Sequence, residues 1–254
     1  MAEILMTDDP IERAIAYVST LDPGFAERIR GASPEEIDAL ERAMGRPLHP
    51  RHRRFLERFG TGPNGLDLGP VDVRAATLRE ALEVSRGAMP EGVSLFGVSG
   101  EDPYFDLVLI DRGEEPEIAS VSTFIGADFS RMTPEMIKPA AGSIAELICL
   151  PPTMQHRYEP MPLKALFVDP RNDDGAISRL QRTIGENELR TAWFSSAITQ
   201  VVEMPSTVII AQRRAPNAMG VVTGSTSRIE LAAVHWWLTH DVGLEPRPLH
   251  ELAS

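Results

Sequence analysis

Ser33 to Gly65 reads SPEEIDALERAMGRPLHPRHRRFLERFGTGPNG. Ser33 is a good helix N-cap, Pro34 suits the first helical position, and Glu36 stands at the third, which completes a capping box. Ile37, Leu40 and Met44 recur at helical spacing, so one face is apolar, while Glu35, Glu36, Asp38, Glu41 and Arg42 cover the rest. Gly45 ends this helix and Pro47 keeps it from restarting at once. Pro50 opens a second helix whose expected core contacts are Phe55, Leu56 and Phe59. Gly60, Gly62, Pro63 and Asn64-Gly65 then form a loop with strong turn chemistry.

Outward from this stretch, residues 1 to about 30 read as helical. Asp8 or Asp9 caps, Pro10 starts, Ile11, Ile15 and Val18 give the periodic face, and Asp22-Pro23 breaks the run. Thr77-Leu-Arg-Glu80 reads as another capping box, with a short helix over Leu78 to Arg86. Val93 to Val98, Phe105 to Asp111 and Ile118 to Thr123 are short apolar or alternating runs separated by Gly, Pro or charge, which predicts an antiparallel meander. Thr133-Pro134-Glu135 and Ser143-Ile-Ala-Glu146 read as helix starts, and Pro151-Pro152 as the end of the second helix. Beyond it, Leu163 to Val168, Ile198 to Glu203, Thr207 to Gln212 and Met219 to Thr223 read as strands. Helices are expected over Ala176 to Ile184 and over Ile229 to His240. The expected class is α+β. An N-terminal helical extension (1–30) precedes an antiparallel sheet with flanking helices (31–150). A Pro-rich linker (151–162) then leads to a second small α+β domain (163–254).

The 254-residue chain carries a formal net charge of -12, which argues against binding nucleic-acid phosphates directly and suits a basic protein partner. No apolar run of about 18 residues occurs, so no membrane span is expected. The N-terminus lacks a basic region followed by an apolar one, and the single cysteine, Cys149, sits in the apolar run LICL. Together these point to a cytoplasmic protein and a buried, unreactive thiol.

No catalytic signature is found, and no cofactor or metal is expected. Gly220-Val-Val-Thr-Gly224-Ser225 lacks the lysine and spacing of a phosphate loop. Asp169, Asp173 and Asp174 miss the alternation of a calcium loop, because Arg171 occupies a ligand position. His235 and His240 are five apart, whereas a shared helical face needs three or four. Arg51, Arg53, Arg54 and Arg58, flanked by His49 and His52, read as a solvated helix face. The stronger candidates are carboxylates near loops and strand ends, namely Asp67, Asp72, Glu101, Asp102 and Asp106, with Tyr104 among them and Asn64 in the preceding turn. An acidic group with an aromatic anchor suits a basic protein partner. Trp236 and Trp237 cannot both point fully inward, so one is expected at an interface, with either the first domain or a second copy; Trp237 joins the candidate set and leaves an oligomer open.

Residues 30 to 150 resemble the SUKH superfamily, the domain shared by a fungal cell-wall-synthesis regulator and many bacterial immunity proteins. The matching residues are Ile37, Leu40, Glu41 and Gly45, then Leu48, Phe55, Leu56 and the Gly60–Gly65 loop. Downstream, Tyr104 to Asp111, Ile118 to Thr123 and Ser143 to Ile148 match the central strands and closing helix. The chain departs from the family at Leu48-His49-Pro50, which delays the usual proline, at His52, near the family's aromatic position, and at Gly62-Pro63-Asn64-Gly65. The resemblance implies a non-enzymatic immunity protein that binds a toxin domain and occludes its active site. The alternatives are a two-domain adaptor joining protein partners, and an enzyme with a site between the domains near His156.

Overall fold

The computed structural model describes residues 7–62, 66–100, 105–122, 128–171, 175–215 and 218–249. The fold is α+β, and the chain divides into two compact units, residues 1–152 and 153–254.

In the first unit, Asp9 caps α1 (Pro10–Leu21) by accepting from the Ile11 N–H at 2.9 Å, and Ile11, Ala14, Ile15 and Val18 are buried. The four-residue α2 (Phe25–Arg28) buries Phe25. The capping box of α3 (Pro34–Met44) is reciprocal. The Ser33 N–H donates to Glu36 at 2.7 Å, the Glu36 N–H donates to Ser33 Oγ at 3.3 Å, and Gly45 closes the helix at φ +73°. Helix α4 (Pro50–Phe59) buries Phe55, Leu56 and Phe59 as the spacing predicts. It also buries His52 completely. The expected solvated face is corrected there: His52 lies on the same side of the helix as Phe55 and Phe59.

The first sheet is an antiparallel meander, β1-β2-β3-β4-β5. Strands β2 (Val93–Ser99), β3 (Asp106–Ile110) and β4 (Glu117–Val121) are the three predicted runs. Strands β1 (Val71–Asp72) and β5 (Ile137–Ala141) add the two edges. The helix start expected at Thr133 is one 3₁₀ turn, Pro134–Met136, that leads into β5. Helix α5 (Ala75–Val84) begins behind Arg74, two residues before the expected capping box, because Thr77 is occupied with Asp72. A bulge at Phe96 interrupts the β2–β3 register, with Leu95 opposite Val108 and Gly97 opposite Leu107. An aromatic ladder runs through the core: Phe25–Phe59 (6.1 Å between ring centroids), Phe59–Phe55 (5.0 Å), Phe55–Phe96 (4.8 Å) and Phe96–His52 (4.9 Å).

Helix α6 (Ile144–Thr153) begins at a cap in which Ser143 Oγ accepts from the Glu146 N–H and Glu146 accepts from the Gly142 N–H. It runs through Pro151 and Pro152 and continues as a π-helical turn, Met154–Tyr158. The helix end expected at Pro151-Pro152 is therefore corrected: the helical run continues to Tyr158, inside the stretch read as a linker. Proline removes donors to the preceding turn but leaves its own carbonyl to accept. The wider turn closes with the Glu159 N–H donating to the Met154 carbonyl at 2.8 Å.

The second unit contains β6 (Leu163–Val168), α7 (Gly175–Glu186), β7 (Thr199–Glu203), β8 (Thr207–Ala215), β9 (Ala218–Ser225), α8 (Arg228–Trp237) and β10 (Glu245–Arg247). Its antiparallel sheet has the order β10-β6-β9-β8-β7. Leu180 and Ile184 of α7, with Val234 and Trp237 of α8, join Phe167, Ile209 and Val221 of the sheet in one core.

Candidate functional site

The loop before β1 builds a groove of about 330 Å³, lined by Phe59, Gly62, Leu66, Leu68 and the run Gly69–Arg74. Its shape starts with local turn chemistry. Asp67 accepts from the Gly69 N–H at 2.9 Å, and Gly69 adopts φ +63°, which glycine takes without strain. The chain then pairs with β2, Val71 opposite Ser99 and Asp72 opposite Val98. Gly97 makes this approach possible: a Cβ there would lie 2.4 Å from Val71 Cγ1. The site is therefore a loop held over a notch in β2.

Asp72 fixes the exit of β1. It accepts from Arg74 Nε at 2.8 Å, from the Arg74 N–H at 2.9 Å and from the Thr77 hydroxyl at 2.9 Å. Burial works against its ionised form, but these donors outweigh burial and hold the carboxyl below the usual aspartate range. The same pair raises the Arg74 guanidinium above its ordinary value, through the hydrogen bond to Asp72 first. Asp67 is exposed and forms no ion pair among the described residues.

The structure sorts the predicted candidates. Asp72 lines the groove, and Asp67 sits in the loop between the lining residues Leu66 and Leu68 without lining it itself. Asp106 is at the same end of the sheet, bonded to the Ser99 N–H at 3.4 Å, but it is only 6 % exposed. It is thus corrected from a surface acid to a buried one that organises the β2–β3 end. Asn64, Glu101, Asp102 and Tyr104 lie outside the described residues. Trp237 is corrected as well: it is 6 % exposed in the core of the second unit, and its neighbour Trp236 is the exposed ring, at 57 %. Consecutive helical residues point about 100° apart, and the core claimed the one in register with Val234. Trp236 stacks on His240 at 4.9 Å, while His235 packs edge-on against Phe167. Leu66, Leu68 and Arg74 escaped the sequence reading. Their signal was two leucines alternating with an aspartate inside a Gly/Pro-bounded loop.

Carboxylates occupy the basic run on α4. Arg53 meets Asp38 and Glu41, Arg54 meets Asp9 and Glu12 at 2.7 Å each, Arg58 meets Glu12, and Arg51 meets Glu115. That face therefore offers no block of unmatched positive charge to a phosphate backbone.

In the second unit, Glu230, Thr207 and Ser225 form an acid–hydroxyl chain. The Thr207 hydroxyl donates to Glu230 at 2.9 Å and lies 2.8 Å from Ser225 Oγ. Both hydroxyl residues are fully buried, and Ser225 Oγ accepts from the Ser227 N–H, so the chain fastens α8 to the sheet. Asp169 is buried beside Arg179 Nη2 at 3.4 Å. Cys149 is buried, and burial pushes its thiol pKa well up. Among the described residues no group of three or more His, Cys, Asp or Glu side chains could hold a metal ion, and no helix is long and apolar enough to cross a membrane. In comparisons with known proteins, no family model, no curated protein and no solved structure matches the chain.

Proposed function

We propose that this chain is a non-enzymatic protein-binding module of the SUKH-like kind, an immunity protein that binds and occludes a toxin domain through the groove beside β1. The observation that carries the reading is the groove itself: a largely apolar hollow beside the edge strand of a sheet, with one ion pair, Asp72–Arg74, in its lining. Apolar hollows with a few placed polar groups are where proteins take partners. The order of helix pair, antiparallel meander and closing helix supports this reading, and the net charge of -12 would speed encounter with a basic partner.

The test is titration calorimetry of the full chain against the toxin-like product of the adjacent gene. A saturable complex is expected, and Leu68→Glu is expected to weaken it by at least about tenfold. A complex indifferent to Leu68→Glu, or no complex, would refute the reading. An adaptor is the second reading, favoured by the exposed stripe Ile229, Ala232, Ala233 and Trp236 on α8. It predicts a binding partner lost on Trp236→Glu and retained on Leu68→Glu.

A further inference from the structure

Helix α4 begins at a histidine. His49 stands at the N-cap position, where its Nδ1 accepts from the Arg51 N–H at 3.1 Å. A backbone N–H only donates, so this bond requires Nδ1 to carry no proton. On the other side of the ring, Nε2 lies 2.8 Å from the Gly113 carbonyl, which only accepts, so Nε2 carries the proton and donates it. One neutral tautomer alone satisfies both bonds. The Gly113 end is fixed by its own turn: the Gly113 N–H donates to Asp111 Oδ1 at 2.9 Å, and its φ of +96° is one that glycine takes freely. The usual N-caps are Ser, Thr, Asp and Asn, none of which takes up a proton near neutrality. A histidine in that place makes the same bond depend on pH.

We infer that His49 is an acid-released clasp: neutral, it caps α4 and ties it to the turn between β3 and β4; protonated, it lets both bonds go. A proton on Nδ1 replaces the acceptor by a second donor facing the Arg51 N–H, and it places a positive charge at the positive end of the helix. The ring then leaves the cap, and its turning out takes the Nε2 bond to Gly113 with it. The charged groups beside the ring are Arg51 and Arg53 of α4, Glu41 of α3, which accepts from the Leu48 N–H, and Arg112, Glu114 and Glu115 of the turn. Glu114 and Glu115 would favour a charged ring. Their side chains are 90 % and 50 % exposed, however, and Arg51 already meets them at 3.8 and 3.0 Å, so their pull is weak. The other histidine of α4, His52, is fully buried against Phe96. Because Arg51 still meets Glu115 in acid, release loosens the turn without detaching it.

The test is nuclear magnetic resonance of the full chain between about pH 8 and about pH 5, the range in which histidines change charge. At the upper end, the ring nitrogens of His49 are expected to show Nε2 protonated and Nδ1 bare, with cross-relaxation between the ring and Gly113. At the lower end that cross-relaxation should vanish while the contact between Phe55 and Phe59 persists, which separates release of the clasp from unfolding of α4. The opposite tautomer at the upper end, or a doubly protonated ring still in contact with Gly113, would overturn the inference. A second arm uses His49→Asn, which keeps a cap acceptor but does not titrate. The ratio of folding constants between the two pH values, from urea unfolding, is expected to be at least about threefold smaller in the variant than in the wild type, since a group that must lose its proton on folding makes stability fall in acid. The contribution of His52 is common to both proteins. An equal ratio in the two would also overturn the inference.

Discussion

His52 ends the aromatic ladder of the first unit with a ring that is fully buried and has no hydrogen-bond partner for either nitrogen among the described residues. Burial, with a smaller push from His49, drives its pKa from 6.5 down to about 3. A group depressed on folding takes up its proton in the unfolded chain first, so stability is full above pH 6.5 and falls as the pH drops toward 3. At pH 5 the loss is about 2 kcal/mol. His52→Phe should remove this component, and urea unfolding at pH 5 and pH 7.5 should show a smaller difference than in the wild type. The two tryptophans of α8 give a second contrast. Trp237→Ala should cost the second unit about 3–5 kcal/mol, whereas Trp236→Ala should stay within about 0.5 kcal/mol, both measured by denaturant midpoint. Sequence periodicity placed Phe55, Leu56 and Phe59 in the core but left His52 outside it. Hydrophobicity ranks a histidine as polar, and only the ring of Phe96, brought in by a bulge, shows that the slot is aromatic.

Among elements, α1 and α4 are tied by Arg54, which bridges Asp9 and Glu12. Burial raises the Asp9 pKa, but the Arg54 hydrogen bond and charge lower it further, so the net value lies below that of a free aspartate. This contribution is present above the ordinary aspartate pKa and is lost as pH falls below it. Because these groups are partly exposed, Arg54→Ala should cost only about 1 kcal/mol, and the cost should shrink in about 1 M salt. Gly97 holds the tighter joint. Gly97→Ala would push against Val71 and should cost about 1–3 kcal/mol while weakening groove binding, read by thermal melting and calorimetry together. Long periodic elements were legible in the sequence: α3, α4, β2, β3 and β4 follow from caps and spacing. The edges β1 and β5 were not, since two residues of β1 carry no period and Pro139 speaks against a strand everywhere except an edge. The groove escaped for the same reason, because its leucines sit in a loop where hydrophobicity has no period to test.

For the whole molecule, α6 crosses the boundary at residue 152 that a proline-pair reading had placed in a linker. The turn beyond it belongs with the second unit, because Tyr158 and Met161 fill the space over Gly224 in β9. A fragment covering 153–254 should therefore melt higher than one covering 163–254 by at least about 4 °C, measured by circular dichroism. The α+β class and the acidic charge were available from element order and composition, and the proline pair drew attention to the stretch where the two units part. The positions of the aromatic residues have an optical consequence. All three tryptophans, Trp193, Trp236 and Trp237, belong to the second unit, while the ladder of the first is built from phenylalanine and one histidine. Tryptophan emission therefore watches the second unit alone, and backbone dichroism, which watches both units, leaves the first by difference. The melting of each half can be followed in the intact protein with no label attached.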